Sequence, residues 1–127
     1  MPVEHIQPEG LPTPPTYSHV VRAGNTIYIA GQTSQNEQGE IVGKGDVTAQ
    51  AEQIFSNLGK ALASVGGDFS NLVKITVFVC DARYREQVAA VRAKYLKAPL
   101  PASTLIVAAG LANPDYMLEI EGIAVID

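Results

Sequence analysis

The run from Leu72 to Cys80 (Leu-Val-Lys-Ile-Thr-Val-Phe-Val-Cys) leaves this chain few options. Val73, Ile75, Thr76, Val77 and Val79 are β-branched, and such side chains pack well on a pleated strand. Apolar residues fall on both alternations of the run, so the strand is expected to be buried on most of both faces. Helical patterns flank it. From Thr48 to Val65 the residues Ala51, Ile54, Phe55, Leu58, Leu62 and Val65 recur at a spacing that lines one helix face. Asp46 or Thr48 can cap the start of this helix, and Gly66-Gly67 supply its left-handed exit. After the strand, Asp81 is expected to cap a second helix carrying Tyr84, Val88, Val91 and Tyr95 on one stripe, with Pro99 and Pro101 stopping it.

The remaining segments complete a sheet. Pro8, Gly10, Pro12, Pro14 and Pro15 exclude a helix over residues 8–16. Strands are predicted over Tyr17–Arg22, Thr26–Ala30 (ending at Gly31-Gln32), Thr104–Ala109 and Leu118–Ile126, with a loop over residues 36–46. The predicted order is β-β-α-β-α-β-β in one α+β domain, residues 1–127, with both helices on one face of the sheet. The other face is left open, yet Phe78, Ile106 and Ala108 alternate with Ile75, Val77, Val79, Leu105 and Val107, so both faces look apolar. A surface of that kind is expected to be covered, most simply by self-association around a closed symmetry axis.

Several function classes are disfavoured. The net charge is −4 and the nine Lys and Arg are scattered, so no basic patch suits a nucleic-acid backbone. One cysteine and two distant histidines give no metal-ligand spacing, and no glycine-rich loop opens a helix in the phosphate-binding manner. No cofactor is therefore expected. The first residues, Met1-Pro2-Val3-Glu4-His5, lack the basic and apolar regions of a signal peptide, and no apolar run reaches membrane-spanning length. The cytoplasm is the expected compartment.

Four segments in order resemble one family. Ile29-Ala30-Gly31-Gln32, the strand Val73–Val79 followed by Asp81, Pro101-Ala102 with the strand after it, and the tail Leu118-Glu119-Ile120-Glu121-Gly122-Ile123-Ala124-Val125 are similar to the RidA (YjgF/UK114) family across essentially the whole chain. The resemblance implies a chorismate-mutase-like subunit. It also implies a homotrimer whose sheets form a central barrel, with a small-molecule ligand in clefts between subunits. The implied reaction is hydrolytic: water attacks an imine or enamine and ammonia leaves. By the same resemblance, Glu119 positions water or manages a proton, while Tyr17 and main chain near Gly31 line the cleft.

The resemblance departs at Ala89, where active members often have an asparagine, at the entry Pro15-Thr16-Tyr17, and at its most informative position. An arginine that grips the substrate carboxylate follows the Pro-Ala pair in active family members, and this chain has Ser103 followed by Thr104 and Leu105. A serine makes no bidentate ion pair with a carboxylate. Ser103, Thr104 and Leu105 are instead candidates for binding a ligand by hydrogen bonds and contact. Two readings follow: a deaminase acting on a substrate other than the usual 2-imino acids, or a non-catalytic trimer that binds a small metabolite. The older ribonuclease label of the family is disfavoured by the acidic balance.

Structural alternatives stand beside each candidate. Glu119 and Glu121, two apart on a strand, could simply be a solvent-facing row. Tyr17 could be a core or interface aromatic, Gly31 a backbone packing point, and Cys80 a buried small hydrophobe. Arg22, Arg83, Arg85 and Arg92 could bring a positive charge to the site, but the sequence does not place them there.

Overall fold

The computed structural model describes residues 2–127; Met1, the first residue of the N-terminal segment expected above to lack a signal peptide, lies outside the described residues. Six strands, β1 (Val3–Ile6), β2 (Val20–Ala23), β3 (Thr26–Gln32), β4 (Leu72–Val79), β5 (Ala102–Val107) and β6 (Leu118–Val125), form one sheet in the order β1-β2-β3-β6-β4-β5. Two helices, α1 (Val47–Ala63) and α2 (Arg85–Tyr95), link β3 to β4 and β4 to β5. Strand β6 pairs antiparallel with both β3 and β4, and β4 pairs parallel with β5. Two α-containing crossovers therefore lay both helices over one face, as the alternation of segments predicts.

Four details differ from the sequence reading, one being that the strand expected over Thr104–Ala109 is Ala102–Val107. The observed order begins with an additional strand, β1, which pairs with β2 at the sheet edge. The strand expected from Tyr17 starts only at Val20, because residues 15–17 form a bend. Asp81 caps a single 3-10 turn, Ala82–Tyr84, rather than α2, which follows it directly. The cap of α1 resolves to Asp46, whose carboxylate accepts from the Ala49 amide at 3.0 Å. Gly66 then takes a positive φ of 76° at the exit, where an L side chain would be strained.

The core lies between the helices and one sheet face. Ile54, Phe55, Leu58 and Leu62 of α1 and Val88 and Val91 of α2 meet Ile75, Val77 and Val79 of β4 and Leu118, Ile120 and Ala124 of β6. Phe55 is fully buried, and its ring stacks on Tyr95 at 5.2 Å and tilts against Phe69 at 6.4 Å. It thus joins α1, α2 and the turn before β4. Phe55→Ala is expected to lower unfolding stability by about 3–5 kcal/mol, read as a reduced denaturation midpoint at unchanged slope.

The opposite face has no helix over it. By strand register it carries Tyr28, Thr76, Phe78, Thr104, Ile106, Glu119, Glu121 and Ile123. All six residues of β5 are exposed, with Ile106 at 41% and Val107 at 54%. Among the described residues no helix is long and apolar enough to cross a membrane, and no group of three or more His, Cys, Asp or Glu is placed to hold a metal ion.

Candidate active site

The expected site residues fall in two places. The first is a cavity of about 550 Å³ at the β3–β6 seam, where Tyr17, Gly31 and Glu119 come together with Thr33, Gln35 and Tyr116. The seam is irregular there. Ile29 pairs with Gly122 and Gln32 with Ile120, so Ala30 and Gly31 both stand opposite Glu121. Such a bulge bends the strand and re-aims its neighbours.

Gly31 has a specific reason to lack a side chain. A Cβ built on it would overlap Glu119 Oε2 outright and stand 2.7 Å from Cδ and 3.0 Å from Cγ. Its φ is not positive, so close approach, and not backbone conformation, requires glycine here. The carboxyl group of Glu119 lies against the main chain of the bulge, in space that any other residue would fill.

The Glu119 carboxyl forms no hydrogen bond or ion pair among the described residues. Its pKa is raised, first by burial and then by the charge of Glu121 one pleat away. A carboxyl group shifted in this direction holds a proton closer to neutral pH, which suits it to proton transfer. Tyr17 also has a raised pKa, from burial first and then from Glu119 and Tyr116, so its hydroxyl stays a hydrogen-bond donor.

The loops around this cavity are pinned by buried polar groups that sequence reasoning did not assign. His19, 4% exposed, donates through Nε2 to the Pro12 carbonyl (2.7 Å) and accepts at Nδ1 from the Gln32 amide (3.1 Å). It also packs edge-on against Tyr17. The proline-rich segment bearing Tyr17 is thereby fastened to the end of β3. On α1, the Asn57 amide donates to the carbonyls of Thr33 (3.1 Å) and Gln35 (2.9 Å). Gln50 donates to Gly43 and Asp115 and accepts from the Met117 amide at 2.9 Å. The Gln35 amide donates to the Tyr116 hydroxyl at 2.8 Å. The available sequence signal was two amides seven residues apart within the otherwise apolar stripe of α1.

The second place is a cavity of about 310 Å³ between α2 and the β4–β5 pair, lined by Val77, Val88, Ala89 and Leu105 together with Arg85, Arg92 and Ser103. Arg92 Nη1 donates to Ser103 Oγ at 3.0 Å. Thr104 belongs to neither cavity. Successive strand residues point to opposite faces, so Thr104 lies on the open face, where its hydroxyl accepts from Lys74 Nζ at 2.7 Å. The chain thus brings Tyr17, Gly31 and Glu119 together, places Ser103 and Leu105 apart from them, and separates Thr104 from both. Neither histidine bonds Ser103 or Thr104: His19 is engaged as above and His5 reaches Ser18. Cys80 is partly exposed rather than fully buried, and burial pushes its thiol pKa up, away from nucleophilic thiolate character.

Comparison with known proteins shows the family. The model of the endoribonuclease L-PSP family matches residues 11–126. The chain belongs to that family, the RidA family of the sequence resemblance. Two RidA relatives illustrate it. The 3-aminoacrylate deaminase RutC of Acinetobacter baylyi is 30% identical over 125 residues, covering 98% of both chains. The 2-iminobutanoate/2-iminopropanoate deaminase of Mus musculus is 36% identical over 109 residues, covering 86% of this chain and 80% of its own. The crystal structure of RidA from an Antarctic Psychrobacter superposes with a TM-score of 0.90 at 33% identity, covering 97% of this chain and 99% of that one.

Proposed function

We propose that the protein is a hydrolytic deaminase of an imine or enamine other than the usual 2-imino acids, working in clefts between the subunits of a homotrimer. The observation that carries the reaction type is the unpartnered Glu119 carboxyl, raised in pKa and seated against Gly31. The relatives named as deaminases of 3-aminoacrylate and of 2-iminobutanoate and 2-iminopropanoate support the same chemistry.

In this reading the protonated Glu119 carboxyl first gives its proton to the enamine carbon, which becomes the iminium and leaves Glu119 as carboxylate. Water then adds to the C=N carbon, with Glu119 in its carboxylate form accepting a proton. The resulting carbinolamine is protonated on nitrogen by the same carboxyl; the C–N bond then breaks as the carbinolamine hydroxyl returns its proton to the Glu119 carboxylate, and ammonia and a carbonyl compound leave. One residue that both gives and takes protons serves best when its pKa is near the working pH. Tyr17, held protonated, donates a hydrogen bond to the substrate from the opposite wall.

The trimer is supported by the uncovered apolar sheet face and by the division of the site into two separate cavities on one chain. Packing the exposed strands of neighbouring copies against one another would bury Ile106 and Phe78 and would set the Glu119 cavity of one chain beside the edge strand of the next. The narrower substrate claim rests on Ser103. Ammonia release from freshly generated 2-iminopropanoate is expected to be at least tenfold faster for Ser103→Arg than for the wild type. A wild type that matches the arginine variant would contradict that claim. A non-catalytic metabolite-binding trimer is favoured by the same serine, and turnover lost in Glu119→Gln would eliminate it.

A further inference from the structure

The cavity beside Ser103 is a cationic pocket with apolar walls. Arg85 and Arg92 are two helical turns apart on α2 and line the same concavity. The ion pairs among the described residues engage Lys44, Arg83 and Lys94, and neither Arg85 nor Arg92 is in one. Glu86, the one acidic residue in the first turn of α2, lines the neighbouring groove with Arg85 and Arg83. A guanidinium presents five N–H donors in a planar fork, and the Ser103 hydroxyl occupies one of Arg92's. That single bond orients the fork and leaves the remaining donors free.

The surroundings favour a compact organic anion over a hydrated ion. Val77, Val88, Ala89 and Leu105 supply the walls, and a small residue at Ala89 keeps the concavity open. Apolar walls lower the local dielectric and strengthen an ion pair made against them. Thr104, pointing to the far face, takes no part.

From this geometry we infer that Arg92, oriented by Ser103 and assisted by Arg85, forms a subsite for a carboxylate on the substrate. The anion grip is rooted on helix α2 instead of on strand β5. An arginine at position 103 would extend outward from the strand, whereas the guanidinium of Arg92 sits at the Ser103 hydroxyl itself. The anionic group is therefore bound in a different position relative to the strand, and the matching substrate is an acidic imine or enamine whose carboxylate is spaced differently from its reacting carbon than in a 2-imino acid. The substrate class rests on the deaminase reading; carboxylate binding by Arg92 does not.

The test uses the whole protein with propanoate as the probe and propanamide as its neutral counterpart, binding being read from ligand line broadening. The wild type is expected to bind propanoate and to show no comparable binding of propanamide. Arg92→Gln is expected to weaken propanoate binding roughly tenfold to a hundredfold, the range for a lost charge-assisted contact. Ala89→Glu, at an exposed helix position, is expected to abolish binding by placing a carboxylate on Arg92 from within the same pocket. Propanoate binding that is absent in the wild type, or unchanged in a folded Arg92→Gln or Ala89→Glu protein, overturns the subsite. The two readings fail separately. Arg92-dependent propanoate binding without hydrolysis of any imine would sink the deaminase and keep the subsite. Hydrolysis of acidic imines at rates indifferent to Arg92→Gln would do the reverse.

Discussion

Glu119→Gln is expected to lower ammonia release by roughly 10²–10⁴-fold, the usual contribution of a positioned acid–base group. Glutamine keeps the shape and the seat against Gly31 but neither gives nor takes a proton. The loss should fall on kcat, with substrate binding little changed, because the interaction removed is needed mainly after binding. The same variant is expected to melt at a higher temperature than the wild type near neutral pH. The sign follows from the raised pKa of the native Glu119. A carboxyl whose folded pKa lies above its unfolded value makes its full contribution to stability below the ordinary carboxylate range, and that contribution is lost as pH rises through the raised value. Wild type and variant should therefore melt alike in acid and diverge upward in pH, the glutamine form being the more stable. Thermal melts across pH, paired with the ammonia assay, check both halves. An active residue that destabilises its own fold is the pattern of a functional site and is not expected of a solvent-facing row.

Gly31→Ala is expected to lower activity by about a hundredfold with little change in melting temperature. The added Cβ takes the space of the Glu119 carboxyl group, and misplacing a reacting group by an ångström can cost about that factor. The atoms it would strike belong to the outer part of a side chain that can swing away, and the backbone of Gly31 is not in the left-handed region. The fold should therefore survive while the site does not. Kinetics and melting on one preparation separate this outcome from ordinary destabilisation, which would reduce both together.

Much of the fold was legible because it is locally encoded. The β-branched run that became β4, the apolar stripe of α1, the Asp46 cap and the left-handed Gly66 are all consistent between pattern and structure. Strand β1 was not legible. Val3-Glu4-His5-Ile6 is short and mixed, and it is a strand because β2 offers it an edge. The 3-10 turn after Asp81 was hidden for a similar reason, since both helix types accept the same carboxylate cap.

The site was half legible. Strand alternation by itself places Ser103 and Leu105 on one face of β5 and Thr104 on the other. The clearance between Gly31 and Glu119 depends on a bulge in a pairing between residues far apart in the chain. The bond from Arg92 to Ser103 depends on where α2 lies over β5. Neither can be read from spacing. The amides of Gln50 and Asn57 stood out as polar positions on a buried stripe, but their partners in the 33–43 and 115–117 loops appear only in three dimensions.

The most direct measurement of the central claim is trapped ammonia from the wild-type protein, set against buffer, with a panel of freshly generated imines and enamines that includes acidic and neutral members. The account predicts release above the buffer rate from at least one acidic member, with the excess removed by Glu119→Gln. Release no faster than buffer across the whole panel, or an excess that persists in Glu119→Gln, would contradict it.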